Sequence, residues 1–158
     1  MALESSSRPI ALFLPSLNGG GAERVFVTLA NEFSRQVSRP VHLVMARSGG
    51  ILADDVDPAV RVVDLGRSRV MTSLLPLVAY LHAERPQVLL STMWEANIVA
   101  LLARKLARVE LRAVIREANI LRQAPEEGIG PLKQALARLL MKQLYPGADA
   151  MVVIADDV

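Results

Sequence analysis

An apolar run, Ile10-Ala-Leu-Phe-Leu14, leads through Pro15-Ser-Leu-Asn18 and three consecutive glycines, Gly19 to Gly21, into a helical pattern that begins at Ala22. That order constrains the chain more than any other feature: a buried strand, a turn built of residues without Cβ, and a helix entered at once. Without Cβ atoms the backbone of the turn can come close to a ligand, and the first N–H groups of the helix, which have no intrahelical acceptor, point at whatever lies there. Phosphate is the usual occupant. A permissive strand-to-helix turn that binds nothing is the other reading of the same residues.

Spacing narrows the type of loop. A Walker-type loop ends in Gly-Lys-Ser or Gly-Lys-Thr, so that an amine and a hydroxyl reach phosphate and magnesium, whereas Ala22-Glu23-Arg24 follows the glycines here. A dinucleotide fingerprint has a third glycine where strand and helix pack. Counted from Gly19 and Gly21 that position is Arg24, and the next apolar run ends at Met45-Ala46-Arg47 without an acid for a ribose, which demotes a Rossmann oxidoreductase half. Glu23, in a first helical turn, gains from the positive end of the helix dipole, a sufficient structural reason for it; Arg24 beside the glycines is a candidate to neutralise a phosphate.

Further along, apolar runs at 41–46, 61–65, 88–91, 112–116 and 150–154 are short and rich in Val, Ile and Leu, the pattern of strands buried on both faces. Helical periodicity fills 22–36, 73–84, 96–108 and 131–144, with Pro76 and Pro131 acceptable in first turns. Alternation of this kind predicts an α/β fold: a Rossmann-like, doubly wound parallel sheet of about six strands in three α/β/α layers. The 158 residues suffice for one core, and 52% hydrophobic with only 4% aromatic content fits aliphatic α/β packing. The stretch 47–60, with Gly49-Gly50 and Asp54-Asp55-Val-Asp57-Pro58, reads as a surface loop. The expected organisation is a disordered tail at 1–8 and a single domain at 9–158.

Ligands of open α/β sheets bind beyond the carboxyl ends of the strands, so Pro15 to Gly21, Ser91 to Asn97 and Arg116 to Asn119 should line one crevice. Trp94, the sole tryptophan, either stacks on the ring of a ligand or buries area at the core edge. Asn97 either caps its helix or bonds a ligand. Arg116-Glu117-Ala118-Asn119 is a solvated strand exit or a site, and the long loop that follows, through Gly130, favours a functional segment.

The segments Leu14 to Val25, Val41 to Val44, Val60 to Leu65, Arg85 to Ser91, Trp94 to Asn97, Arg116 to Asn119 and Ala148 to Ile154, in that order, resemble the amino-terminal half of a family 4 glycosyltransferase, over about residues 9 to 158. That resemblance implies one half of a GT-B fold, the acceptor-side domain. The donor domain, with its paired glutamates, would lie after Val158. It implies a retaining enzyme that transfers a sugar from a nucleotide-sugar to a hydroxyl, in cell-envelope glycan or glycolipid synthesis, with this half inactive alone. Gly19, Gly20, Gly21 and Arg24 would meet the donor diphosphate; Ser16, Trp94, Glu95, Asn97, Arg116, Glu117 and Asn119 would form the acceptor or interdomain cleft. The nucleotide-sugar is then a substrate and no cofactor or metal is expected. The alternative is a non-catalytic nucleotide- or phosphate-binding module using the same crevice.

One departure from the family pattern stands out: a histidine is common near the crevice, and here the two histidines fall elsewhere, His42 at the start of a strand and His82 on a helix, as surface or core-edge residues. The catalytic group is therefore not assignable from sequence. With no cysteine, disulfides and thiolate chemistry are excluded, and no secretory pattern opens the chain, so a cytoplasmic site is expected. Residues 101–145 carry nine basic side chains against four acidic. Within them Pro131 to Leu144 sets Leu132, Leu136, Leu139 and Leu140 on one face with Lys133, Arg138 and Lys142 elsewhere. That is a helix packed on the sheet with a basic rim or, more pointedly, a peripheral contact with anionic lipid at the inner face of the membrane, suited to a lipid-linked acceptor. Nucleic acid is not expected, because the basic stretch lacks interleaved aromatics.

Overall fold

A computed structural model describes residues 8–117 and 130–154. Its elements run β1 (Ile10–Leu14), α1 (Gly21–Gln36), β2 (Val41–Met45), β3 (Arg61–Asp64), α2 (Leu74–Glu84), β4 (Val88–Thr92), α3 (Trp94–Ala107), β5 (Arg112–Glu117), α4 (Pro131–Leu144) and β6 (Ala150–Val153), with short 3-10 turns at Ala53–Asp55, Val70–Ser73 and Tyr145–Gly147. The strands form one six-stranded parallel sheet in the order β3-β2-β1-β4-β5-β6. The α/β class and strand count anticipated from the alternation are thus those observed.

Period-two alternation divides β1 between two cores. Ala11 and Phe13 face a layer built with Leu77, Leu81, Ile98 and Val99 of α2 and α3, while Leu12 and Leu14 face Phe26, Val27 and Ala30 of α1. Burial on both faces holds for the inner strands only: β2 is buried throughout, whereas β3 and β6 at the sheet edges are largely exposed. Pro131 occupies the first position of α4, where its missing N–H costs no helical bond, and Pro76 lies in the first turn of α2.

Several sequence expectations need correction. The stretch 47–60 is not merely a surface loop: Leu52 and Val60 are buried in the α1-side core, because the segment folds back under the end of β1. Helix α3 begins at Trp94, two residues before the expected 96, so Asn97 lies inside the helix and does not cap it; Met93 does, without a side-chain bond. Of the two places open to His42, surface or core edge, the surface is ruled out: it is buried, and its Nδ1 lies 2.8 Å from the Tyr80 hydroxyl. Burial, with Arg61 nearby and against an opposing effect of Glu84, lowers its pKa. On α4 Ala137 and Leu144 are buried and Leu140 and Met141 pack against the core, leaving Leu132, Leu136 and Leu139 exposed by 85%, 53% and 51%. Arg8, assigned to the tail, is anchored: its guanidinium donates to the carbonyls of Arg85 (2.9 Å), Pro86 (3.2 Å) and Glu110.

Candidate functional site

The strand order reverses between β1 and β4: the chain winds outward from β1 to β3, crosses back, and winds outward again from β4. Loops leaving neighbouring strands diverge at such a switch point and open a crevice. The β1–α1 loop and Met93-Trp94 border it.

Each glycine of the first loop has its own reason. Gly19 adopts φ +107°, and a Cβ there would stand 2.5 Å from Cδ1 of Ile51. Gly20 is the N-cap of α1, and its N–H donates to the carboxylate of Glu23, which also accepts from Ser16 Oγ at 3.2 Å. A Cβ on Gly20 would lie 2.5 Å from that carboxylate, so the residue is small to admit Glu23. Gly20 has no side chain to complete a capping box, and Glu23 supplies only the returning half. Gly21 meets nothing within 4 Å; its bareness leaves the first turn open. The loop is strapped from outside: Leu52 N–H donates to Leu17 O (3.1 Å), Arg47 N–H to Pro15 O (3.2 Å), and Gly50, at φ +122°, lies so close to Leu17 that a Cβ would approach its carbonyl oxygen to 2.3 Å.

Electrostatically the loop holds its own anion. Glu23 is buried at the positive end of α1 and takes the Gly20 donor, leaving the N–H groups of Gly21 and Ala22, which have no intrahelical acceptor, to meet a ligand. Arg24 is exposed on the same turn with no ion pair among the described residues.

A second group gathers at the ends of β4 and β5. Asn97, wholly buried, accepts from Ser91 Oγ (2.7 Å) and donates through Nδ2 to Arg116 O (3.1 Å) and Glu117 Oε2 (3.2 Å). Tyr145, beyond α4, donates its hydroxyl to the same Glu117 oxygen at 2.8 Å. Burial, reinforced by the Glu117 charge, drives the Tyr145 pKa upward and keeps the phenol a donor, although its bond to Asn97 works the other way. Arg116, on the opposite sheet face, is buried and donates to Thr92 Oγ1 (3.2 Å). Trp94 and Glu95 are half-buried in the first turn of α3, the indole against the core. Asn119 and the rest of the stretch 118–129 lie outside the described residues.

The structure therefore joins Ser16 to the glycine loop, and Asn97 to Arg116 and Glu117, as two clusters whose strands stand about 10 Å apart across β4. Arg24 is bonded to the glycine loop only through its backbone, its N–H donating to Gly20 O at 3.0 Å. Sequence reasoning missed Tyr145, which reaches the site only through the fold, and Gly50, whose contact with Leu17 is non-local. It also missed the strained Met93 (φ +73°), which no composition rule could find because Gly or Asn is the expected residue there.

A family model described as a glycosyl transferase 4-like domain matches residues 20–158. The chain belongs to that family. No curated protein sequence matches it. Among solved structures, sucrose-phosphate synthase from Thermosynechococcus elongatus is similar at 15% identity and TM-score 0.66, over 94% of this chain and 42% of that one. A second, twinned structure of that synthase matches at 14% identity and TM-score 0.61, over 94% and 77%. The apo form of the lipopolysaccharide outer core galactosyltransferase WaaB matches at 14% identity and TM-score 0.51, over 68% of this chain and 32% of that one. At these identities the likeness is one of fold, and the fold is the Rossmann-like half of GT-B that the sequence resemblance implied. The glycosyltransferase 4-like chain spans under half the length of the first of these neighbours.

Proposed function

We propose that this glycosyltransferase 4-like chain is the acceptor-side half of a retaining enzyme that transfers a sugar from a nucleotide-sugar to a hydroxyl acceptor in cell-envelope glycan or glycolipid synthesis. The observation that carries the reading is the family match over residues 20–158, which begins at the glycine loop set on the switch point of the sheet. The Gly21 and Ala22 N–H groups would approach the donor diphosphate, with Arg24 swinging in from the rim; charge developing on that leaving group is stabilised by fixed dipoles and cations. Ser16 and Glu23 hold the loop. Trp94, Glu95, Arg116, Glu117 and Asn119 would border the acceptor, and the Asn97 network fixes the strand ends that carry them.

A donor-binding domain completes the enzyme in this reading, no cofactor or metal is used, and the chain by itself turns over no substrate. The reaction would take place in the cytoplasm at the membrane face, with a sugar or lipid-linked acceptor. The exposed Leu132, Leu136 and Leu139 on α4, accompanied by Lys133, Arg138 and Lys142, support a peripheral contact with anionic lipid. Among the described residues no helix is long and apolar enough to cross a membrane.

The test is a calorimetric titration of the chain with uridine and guanosine diphosphates and their sugar conjugates, beside Gly21→Val. A Cβ at Gly21 meets no atom within 4 Å, so the variant folds and places its side chain in the approach to the helix terminus. Binding by the wild type that Gly21→Val weakens at least tenfold supports the reading. Diphosphate binding untouched by the variant overturns the role given to the loop, and turnover by the isolated chain overturns its dependence on a second domain.

A further inference from the structure

The opposite, amino-terminal edge of the sheet carries a cleft that the proposed reaction does not use. Segments entering β1, β4 and β5 converge there, and Arg8, Arg85, Arg108, Val109 and Glu110 line a cavity of about 250 Å³. Three arginines and one glutamate thus border one cavity. Arg8 is fixed by its bonds to the carbonyls of Arg85, Pro86 and Glu110. Arg85 and Arg108 have exposed side chains that form no ion pair or hydrogen bond among the described residues.

Both of those arginines are C-caps in the left-handed region, Arg85 after α2 at φ +45° and Arg108 after α3 at φ +51°. Glycine or asparagine takes that conformation at lower cost, so the two positions hold a cation where local backbone preference asks for a smaller residue. Each helix terminus accounts for one cation through its dipole. It does not account for three lining one cavity, none of them in an ion pair among the described residues.

We infer that this cleft is a second ligand site, specific for a phosphate-bearing anion larger than inorganic phosphate. Guanidinium forks match phosphoryl oxygens in geometry as well as charge, Arg8 is held in place beforehand, and Val109 gives the cavity an apolar wall. Glu110 sets an upper bound on affinity by opposing the anion. Because the cleft lies at the strand entrances, its occupancy is independent of the glycine loop at the strand exits.

The experiment uses inorganic pyrophosphate as probe, titrated by calorimetry into the full chain, Gly21→Val, the double variant Arg85→Gly/Arg108→Gly, and Glu110→Gln. Glycine relieves the left-handed backbone at both caps, so the double variant removes charge without threatening the fold, and its melting temperature should not fall. The expected result is saturable binding that Gly21→Val leaves intact, that the double variant weakens by at least about tenfold, and that Glu110→Gln strengthens. Sedimentation with phosphatidylglycerol vesicles identifies the source: binding lost in the double variant assigns the site to lipid headgroups, and vesicle binding unchanged in it assigns the site to free phosphates. Pyrophosphate binding that is absent, or equal in wild type and double variant, overturns the inference. Binding abolished by Gly21→Val alone places the anion at the glycine loop and overturns it equally.

Discussion

Replacing Asn97 by Asp changes one amide nitrogen to oxygen in a fully buried position and should turn a neutral network into a pH-sensitive one. The Asn97 Nδ2 donates to Glu117 Oε2 over 3.2 Å; after substitution two carboxylates face each other at that separation. At an effective dielectric of about 20, two unit charges so placed repel by about 5 kcal/mol. The pair escapes by binding one proton, at about 1.4 kcal/mol for each pH unit above an ordinary carboxyl value near 4, which caps the penalty at about 5 kcal/mol at pH 7.5. Once protonated, the introduced carboxyl accepts from Ser91 Oγ and donates to Glu117 but has no second hydrogen for Arg116 O, so lowering the pH to 5 should restore all but about 2–3 kcal/mol. The sign follows from linkage: the folded variant binds a proton that the unfolded chain releases near pH 4, so its stability relative to wild type rises as pH falls. Urea denaturation followed by the fluorescence of Trp94, the only tryptophan, at both pH values measures the difference directly. A penalty below about 1 kcal/mol at pH 7.5, or one equal at the two pH values, would refute the contact between Asn97 and Glu117.

Three other predictions address separate features. Gly50→Ala forces a Cβ to 2.3 Å from Leu17 O at φ +122° and should cost about 2–4 kcal/mol, against about 1 kcal/mol for Gly49→Ala, which has φ +87° but no atom within 4 Å; chemical denaturation of the pair, with equal losses as the contrary result, checks the strap on the glycine loop. The lowered pKa of buried His42 means that the unfolded chain takes up a proton first on acidification, so the contribution is present above the ordinary imidazole value of about 6.5 and is lost as pH falls below it; His42→Gln should flatten that slope in urea denaturation. Leu136→Glu, at a side chain already 53% exposed, should leave the melting temperature in place and cut binding to anionic vesicles about tenfold; co-sedimentation that does not change removes α4 from any membrane contact.

The arrangement of strands and helices was legible in the sequence because each element advertises its own period. Ile10 to Leu14 and Val41 to Met45 are continuous apolar runs, and Pro131 marks the first residue of α4. The glycine loop was legible for the same local reason. What sequence could not supply is whatever depends on a neighbour brought from far along the chain. Glu117 meets Tyr145 across a gap of 28 residues, and Gly50 packs beneath Leu17 from the far side of β2. The leucines of α4 show the converse error. Their spacing defines an apolar face, but which residues turn inward is decided by what the helix packs on, here α3, and there Ala137 is buried while Leu136 is exposed. Asn97 was misplaced for a different reason: a cap was sought at a polar residue, and the chain enters α3 through Met93 instead.

The uneven burial across the sheet has a mechanical consequence. β1 has a hydrogen-bonded strand on either side and a packed layer above and below it, so its amides should be among the last to exchange with solvent, whereas β6 is paired on one side through described residues and wetted on both faces. The glycine loop grows from the stiffest strand; Glu117 ends β5, the strand that borders the softest. One jaw of the crevice is thus an anvil, and the other is sprung.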